Sequence, residues 1–251
     1  MAAPTLALNS SAPGTVDGRH LRAVVFQDVR LRYVADVLHG VPTAGIRAAV
    51  IGGGRGLLAR GLAGRGMEVT SVDPSPEAAE LARQADDAGE VVYAVAPAEH
   101  PGLPEGAYDL VYCADTFEIT EDLDAVLSAA SRLLRSGGTL IYDTVNRTPL
   151  SRLIYLGAFQ RFPGTRIMPP GRYTASRLRP PAELASRMTA HGLINLGTCS
   201  FKPRSAPALV TATRARRAGR VTDEQLPSLV EFKLDPDGPP LVTYLGHARR
   251  N

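Results

Sequence analysis

The sequence has no tryptophan, few other aromatic residues and no long apolar run. None of its 251 residues is Trp, and aromatic residues make up only 6% of the chain. A surface that stacks nucleic-acid bases needs exposed aromatic rings, so this composition argues against a nucleic-acid-binding protein. No apolar run approaches the roughly 20 residues that a membrane-spanning helix requires. A hydrophobic content of 44% over this length instead indicates a globular domain with a full core.

Cysteine is equally scarce. Cys113 and Cys199 are the only two, and both lie on predicted strands, so we expect two buried thiols in a reduced, cytoplasmic protein. Residues 1–18 are rich in Ala, Ser, Pro and Gly and lack the basic start of a signal peptide. We therefore expect a disordered leader over residues 1–18 and a single domain over residues 19–251.

Charge is distributed unevenly along the chain. Residues 1–146 carry 11 basic and 19 acidic side chains, whereas residues 147–220 carry 14 basic side chains and one acidic side chain. Only two of the basic residues in the whole chain are lysines. An acidic domain with a basic segment predicts an anionic partner, such as an acidic substrate or a phospholipid surface.

A glycine-rich turn follows the first apolar strand. Residues 48–51 are apolar, glycines stand at positions 52, 53, 54 and 56, and a helical pattern begins at Leu57. Glycines here let a ligand approach the backbone, and the following helix presents free N–H groups. They also allow tight packing of strand and helix when nothing binds, so this alternative stays open.

The second predicted strand ends in Asp73, a carboxylate placed to bind the two hydroxyls of a ribose. Because Leu57 stands where a dinucleotide motif has its third glycine, the pattern favours S-adenosylmethionine over NAD.

Strands and helices alternate along the chain and predict an α/β fold. The fold is a Rossmann-like, doubly wound, mostly parallel sheet of seven strands with helices on both faces and an inserted basic cap segment. The predicted strands cover residues 48–51, 67–73, 91–95, 108–113, 139–144, 193–201 and 241–248. The predicted helices cover residues 26–39, 57–65, 74–88, 123–134, 149–162, 180–190 and 205–218. Residues 149–182 and 202–240 are the expected cap and lid elaborations.

From about Arg30 onward, the chain resembles the class I S-adenosylmethionine-dependent methyltransferases, and most closely the 3-demethylubiquinone O-methyltransferases. The resemblance is carried by residues 29–33, 52–56, 72–73, 108–111, 133–138, 145–148 and 181–184, together with Tyr244 and His247. It implies S-adenosylmethionine as cofactor and S-adenosylhomocysteine as product. The expected cofactor contacts are Arg30, Gly52, Gly53, Gly54, Gly56, Asp73, Pro74, Ala96, Ala114 and Asp115.

The chain departs from that family at three positions. Val50 stands where the family has an aspartate before the glycine turn, and Ala96 replaces an acid near the adenine. After the fourth strand the family has a metal-binding Glu-x-x-Glu-His run. Here Asp115 and Glu118 remain while Ile119 replaces the imidazole. We therefore assign no metal ligand and expect activity without a divalent metal.

Two residues are candidates for catalysis. A phenolic acceptor has a pKa near 10, so its ionisation at neutral pH costs roughly 4 kcal/mol. Glu118 is the first candidate base, and the alternative is that it only begins the next helix. His247 is the second candidate, and the alternative is a packed histidine. If the acceptor is already anionic, no strong base is needed and the arginines orient it.

We therefore expect a methyltransferase for a small molecule that has an acidic or phenolic hydroxyl and an apolar portion. The alternatives are a protein of the same fold with a non-methylating role, such as a cyclase or ligand-binding protein, and an NAD-linked oxidoreductase.

The segment over residues 150–180 combines arginines with an apolar face at Leu153, Ile154, Leu156 and Phe159. It is interpreted either as a peripheral contact with an anionic membrane or as a lid over the active site.

Overall fold

The computed structural model describes residues 4–251, and a sheet of eight strands forms its centre. In chain order the strands of the structure are β1 (Thr5–Leu6), β2 (Thr15–Val16), β3 (Arg47–Ile51), β4 (Glu68–Asp73), β5 (Val91–Val95), β6 (Tyr108–Cys113), β7 (Leu134–Val145), β8 (Leu193–Pro203), β9 (Phe232–Asp235) and β10 (Thr243–Arg250). The central sheet has the order β5-β4-β3-β6-β7-β10-β8-β9, and β1 pairs only with β2.

The strands from β5 to β7 in this order are parallel, and the remaining pairings are antiparallel. The doubly wound fold is therefore as predicted, but the sheet has eight strands and not seven. The additional strand, β9, is too short for an alternating pattern to reveal it. Its Phe232 packs against Phe26 and Phe201 with ring centroids 4.9 and 5.8 Å apart.

Helices cover both faces of the sheet. They are α1 (Gly18–Val37), α2 (Leu57–Ala63), α3 (Pro76–Gln84), α4 (Leu123–Leu133), α5 (Pro149–Ser151), α6 (Pro181–Ala190), α7 (Ala206–Arg217) and α8 (Leu226–Leu229). One hydrophobic core contains α1 and α2, and a second contains α4 and α6. Neighbouring residues of one strand alternate between the cores, as Val50 and Ile51 do. Within residues 4–251, no helix combines the length and the apolar character that crossing a membrane requires.

The first helix begins at Gly18, eight residues earlier than its apolar periodicity predicts. Asp17 caps it, because its carboxylate accepts the backbone N–H groups of Arg19 and His20 at 3.0 and 3.2 Å. The polar residues of the first two turns hid this start, since they interrupt the apolar pattern. Asp17 could nevertheless have been identified as the N-cap from the sequence, because aspartate is a preferred residue at this position.

Residues 4–17, which we call the amino-terminal cover, differ from the disordered leader that composition predicts. In the structure they form β1 and β2 and lie against the glycine turn and α7. Arg216 and Arg217 of α7 donate to the carbonyl oxygens of Thr15 and Pro4 at 2.9 and 2.7 Å. Val16 is fully buried in the core, and Leu6 and Leu8 pack against it, so apolar contacts add to the hydrogen bonds that hold this segment.

The predicted helix over residues 149–162 is interrupted. After α5 the chain forms a π-helix over Arg152–Ala158, closed by a hydrogen bond from the N–H of Phe159 to the carbonyl of Ile154 at 2.8 Å. The wider turn splits the single apolar face that the sequence predicts. Ile154 and Phe159 face the protein interior, whereas Leu153 is 60% exposed.

Candidate active site

The glycine turn between β3 and α2 is shaped as much by packing as by ligand access. Gly52 has φ of +77°, which favours glycine, and a Cβ atom there would lie 2.5 Å from the Ala114 carbonyl oxygen. A Cβ atom on Gly53 would lie 2.0 Å from Oγ of Ser71. These two glycines therefore fit the backbone against its neighbours, while Gly54 faces the guanidinium of Arg19.

Asp73 ends β4 at the carboxyl edge of the sheet and is buried. Its Oδ2 accepts the N–H of Gly54 at 2.8 Å, and its Oδ1 accepts the N–H of Ser75 at 3.0 Å. The Arg19 guanidinium donates to both oxygens, with the Nη1–Oδ1 distance being 3.0 Å. Burial opposes ionisation of Asp73, but Arg19 and the two N–H donors outweigh it, so the pKa of the carboxyl lies below its usual value.

The polar groups at this turn suit a ribose, but this conformation leaves little empty space for one. A carboxylate at a strand end, beside a glycine turn and a helix N-terminus, suits a nucleoside. The remaining cavity between Arg19, Asp115 and the glycine turn is about 20 Å³, room for about one water molecule. The expected contacts Pro74 and Ala96 adjoin the same edge, and the N–H of Ala96 donates to the Asp73 carbonyl at 3.2 Å.

A chain of five buried charges lies beside this turn. Arg30 Nη2 is 2.6 Å from Asp143 Oδ2 and 2.8 Å from Asp115 Oδ2. Arg22 Nη2 is in turn 2.6 Å from Asp115 Oδ1 and 3.2 Å from Glu118 Oε1. Both arginines belong to α1, eight residues apart and so on one face of the helix. The acids come from β7 and from the loop after β6, so the chain ties α1 to the carboxyl edge of the sheet.

The acids of this chain differ in their ionisation. Burial raises the pKa of Asp143 to about 7, although Arg30 opposes the shift. Burial also raises the pKa of Glu118, against the effect of Arg22. Asp115 lies between both arginines, which outweigh its burial and lower its pKa. Three carboxyl groups face two guanidiniums, so the cluster binds a proton more readily than isolated carboxyl groups do.

Sequence reasoning missed Asp143, Arg22 and Arg19. Asp143 was detectable as an acid inside an otherwise apolar strand, where burial without a partner is costly. The arginines gave no such signal, because their partners are far away along the chain. The predicted contact Arg30 does lie at the site, where two aspartates hold it.

His247 does not join the other candidates. It pairs with Ile141, four residues before the end of β7, because β10 runs antiparallel. Its Nδ1 lies 2.9 Å from the hydroxyl of Tyr33, near the other end of α1, and burial lowers the pKa of the imidazole. The structure thus brings together Glu118, Asp115, Ala114, Arg30 and the glycine turn, but not His247.

An apolar cavity of about 380 Å³ adjoins the charge chain. Its walls come from α1, α5, the π-helix, β8, α7, α8, β9 and β10, together with the loop before β10. Apolar side chains that line it include Phe26, Ile154, Phe159, Phe201, Leu209 and Leu226. Its volume is typical of small-molecule pockets. The sequence did not reveal it, since residues distant in the chain form it.

Arg22 connects the cavity to Glu118. It lines the cavity, and its guanidinium carbon is 5.0 Å from the ring centre of Tyr155 and 5.4 Å from that of Phe26. Its Nη1 donates to the hydroxyl of Tyr173 at 2.7 Å. An apolar ligand in the cavity would therefore place its polar end against this guanidinium.

The residues predicted to be metal ligands in related enzymes are engaged with arginines. The carboxylates of Asp115 and Glu118 both contact Arg22. Within residues 4–251, no group of three or more His, Cys, Asp or Glu side chains is arranged to hold a metal ion. Independence from divalent metal stays a prediction.

Comparisons with known proteins agree with the motifs. A family model described as a methyltransferase domain matches residues 49–142. The ubiquinone biosynthesis O-methyltransferase of Xanthomonas euvesicatoria pv. vesicatoria is 32% identical over 180 residues, covering 70% of this chain and 73% of that protein.

Two solved structures share the fold. The magnesium protoporphyrin IX methyltransferase of Synechocystis PCC 6803, with bound S-adenosylhomocysteine, has a TM-score of 0.58 and 17% identity over 93% of this chain and 84% of its own. The cyclase SpnF has a TM-score of 0.58 and 16% identity over 89% of this chain and 80% of its own. These likenesses confirm the predicted fold class.

The ionisation of Asp143 gives a prediction about stability. Asp143 keeps its proton to about pH 7 when folded but ionises near 3.8 when unfolded, so its contribution to the free energy of unfolding falls as pH rises between these values. The fall is at most about 1.4 kcal/mol per pH unit. Asp143→Asn removes it, so the stability of this variant relative to the parent should increase from about pH 5 to about pH 7. Urea unfolding across this range measures the difference.

Asp28→Asn is the matched control, because Asp28 is exposed in an ion pair with Arg32. Its stability should follow that of the parent at each pH. A constant difference between Asp143→Asn and the parent would show that Asp143 is ionised throughout.

Proposed function

Since the chain belongs to the class I S-adenosylmethionine-dependent methyltransferase family, we propose that it methylates a small molecule with an acidic or phenolic hydroxyl and an apolar portion. S-adenosylmethionine supplies an electrophilic methyl group when bound and becomes S-adenosylhomocysteine. In this proposal Asp73 and the glycine turn Gly52–Gly56 hold the cofactor, and Arg30, Pro74, Ala96, Ala114 and Asp115 adjoin it.

The observation that carries this proposal is the junction of the apolar cavity with the buried charge chain at Arg22. The cavity offers apolar walls to a hydrocarbon portion and excludes water from it. At its inner side Arg22 contacts Glu118, which is fully buried. One molecule with an apolar portion and an acidic hydroxyl satisfies both environments.

Glu118 is the proposed base. Its Oε1 lies near Arg22, and its Oε2 accepts the hydroxyl of Thr144 at 2.9 Å, so the carboxylate is fixed in orientation. Its raised pKa brings it closer to that of a phenol, which lowers the cost of proton transfer. Arg22 then stabilises the developing oxyanion. For an acceptor that is already anionic, Arg22 alone suffices as the orienting group.

The cavity assignment predicts an effect of Ala212→Phe. Ala212 is buried on α7 and lines the cavity, so the added ring takes the space of the ligand's apolar portion. The KM of a decyl-substituted phenol should rise at least about tenfold, whereas unsubstituted phenol should be unaffected. Methyl transfer from S-adenosylmethionine measures both.

Thr211→Phe is the control, because Thr211 is exposed on the same helix. It should leave both KM values unchanged. An equal effect of Ala212→Phe on both phenols, or none on either, would remove the cavity from the acceptor site.

The base assignment predicts a selective effect of Glu118→Gln. With a phenolic acceptor kcat should fall about 10²–10⁴-fold, because the amide cannot accept the proton. With a carboxylic acid or an acidic enol, which is already anionic at neutral pH, the fall should be much smaller. Chelation by EDTA should leave the parent enzyme active with both acceptors.

Glu121→Gln controls for the change of charge, since Glu121 is exposed three residues away. Loss of activity in EDTA that Mg²⁺ restores would instead make Asp115 and Glu118 metal ligands. An unchanged kcat of Glu118→Gln with phenol would remove Glu118 as the base.

We also propose that the segment over residues 150–180 contacts anionic membrane. Of the six arginines in this segment, Arg177 and Arg179 turn inward and donate to carbonyl oxygens of residues 119 and 117. Of the other four, Arg152 and Arg161 are exposed, whereas Arg166 and Arg172 are half-buried. Leu153 and Phe162 are 60% and 55% exposed beside them. Basic and apolar side chains together suit a lipid interface, at about 1 kcal/mol for each engaged arginine.

This contact predicts co-sedimentation with vesicles that contain phosphatidylglycerol but not with pure phosphatidylcholine vesicles. The double variant Leu153→Ser and Phe162→Ser should bind less, and high salt should release the protein. Val92→Ser, at a 66% exposed position of β5, is the control. Absence of binding, with a raised acceptor KM in Arg161→Ala and Arg166→Ala, would assign the segment to a lid.

A further inference from the structure

Two ion pairs join the amino-terminal region to the cofactor turn. Arg19 in the first turn of α1 pairs with Asp73, and their side chains are 11% and 3% exposed. In the reverse direction Arg55 in the glycine turn pairs with Asp17, the cap of α1, at 2.9 Å. Each side therefore supplies one arginine and one aspartate.

Arg19 takes the hydrogen bonds that a ribose would need. A carboxylate has about four acceptor positions. Those of Asp73 already accept Gly54 N–H, Ser75 N–H and two donors of Arg19. The Arg19 guanidinium also donates to the Gly52 carbonyl at 3.1 Å. The two Arg19 bonds to Asp73 match in number the two that a vicinal diol donates.

The amino-terminal cover holds Arg19 in this position. Asn9 accepts Nη1 of Arg19 with its Oδ1 at 3.3 Å and donates its N–H to Asp17 at 2.9 Å. Both ends of the cover are fastened to α7 through Arg216 and Arg217. The arginine that blocks Asp73 thus belongs to a fastened segment with its own network.

We propose that Arg19, together with the amino-terminal cover, is a gate of the cofactor site. Arg19 and the ribose compete for Asp73, so the cofactor enters when Arg19 leaves the carboxylate and the cover is displaced. The affinity for the cofactor then depends on the competition between Arg19 and the ribose for Asp73. This gate rests on the cofactor of the family and is independent of the acceptor proposed above.

The test is calorimetric titration with S-adenosylhomocysteine. Arg19→Ala removes the competitor, so the Kd should fall about tenfold or more, whereas Asp73→Ala should raise the Kd about tenfold or more. Arg55→Gln weakens the second ion pair and should also lower the Kd. Arg32→Ala, an exposed arginine toward the other end of α1, is the control and should leave the Kd unchanged.

A weaker or unchanged affinity of Arg19→Ala for S-adenosylhomocysteine would overturn the gate. If Arg19→Ala does not fold, a weaker or unchanged affinity of Arg55→Gln would overturn it instead. Limited proteolysis gives a second readout. Cleavage within residues 4–17 should accelerate when S-adenosylhomocysteine is added to the parent protein, and protection would instead mean that the cover closes over the ligand. A protein that binds S-adenosylhomocysteine but methylates no phenol would contradict the proposed acceptor and leave the gate intact.

Discussion

Compensation of buried charge governs the whole carboxyl edge of the sheet. Three arginines of α1, at positions 19, 22 and 30, face carboxylates at the ends of β4, β6 and β7. Removing one partner of such a buried pair lowers the free energy of unfolding by roughly 3–5 kcal/mol, because the other charge is left without compensation. The position of α1, the shape of the cofactor turn and the ionisation of the proposed base therefore depend on one another.

The fold was largely predictable, because its signals are local. Apolar strands, the glycine turn and Asp73 at a strand end are each readable within a dozen residues. The ninth strand and the π-helix escaped, since one is too short for a pattern and the other changes its period. The site was only partly predictable, because Arg19 meets an aspartate 54 residues away and the cavity combines eight helices and strands. His247 was misleading because its strand runs antiparallel, which carries it away from the active edge.

The departures from related enzymes are consistent with this charge balance. Val50 stands where the family has an aspartate, and it is fully buried beside Tyr112 of β6. Burial, and then the charge of Asp143, raises the pKa of the Tyr112 hydroxyl, and Tyr112 in turn contributes to the raised pKa of Arg30. A further carboxylate here would add negative charge to a cluster that already has three acids for two arginines. Valine at this position avoids an additional uncompensated charge.

The same helix carries both the gate and the charge chain, which limits how the gate can move. Arg30 is held by two aspartates and Arg22 by two acids and the hydroxyl of Tyr173, so their part of α1 is fixed to the sheet. Arg19 lies in the first turn, and this start of the helix depends on the Asp17 cap and on the cover. Opening therefore needs rotation of one side chain and release of the first turn, while the proposed base and the acceptor cavity keep their geometry. Such local opening is accessible because helix ends unfold at a lower free energy than helix interiors.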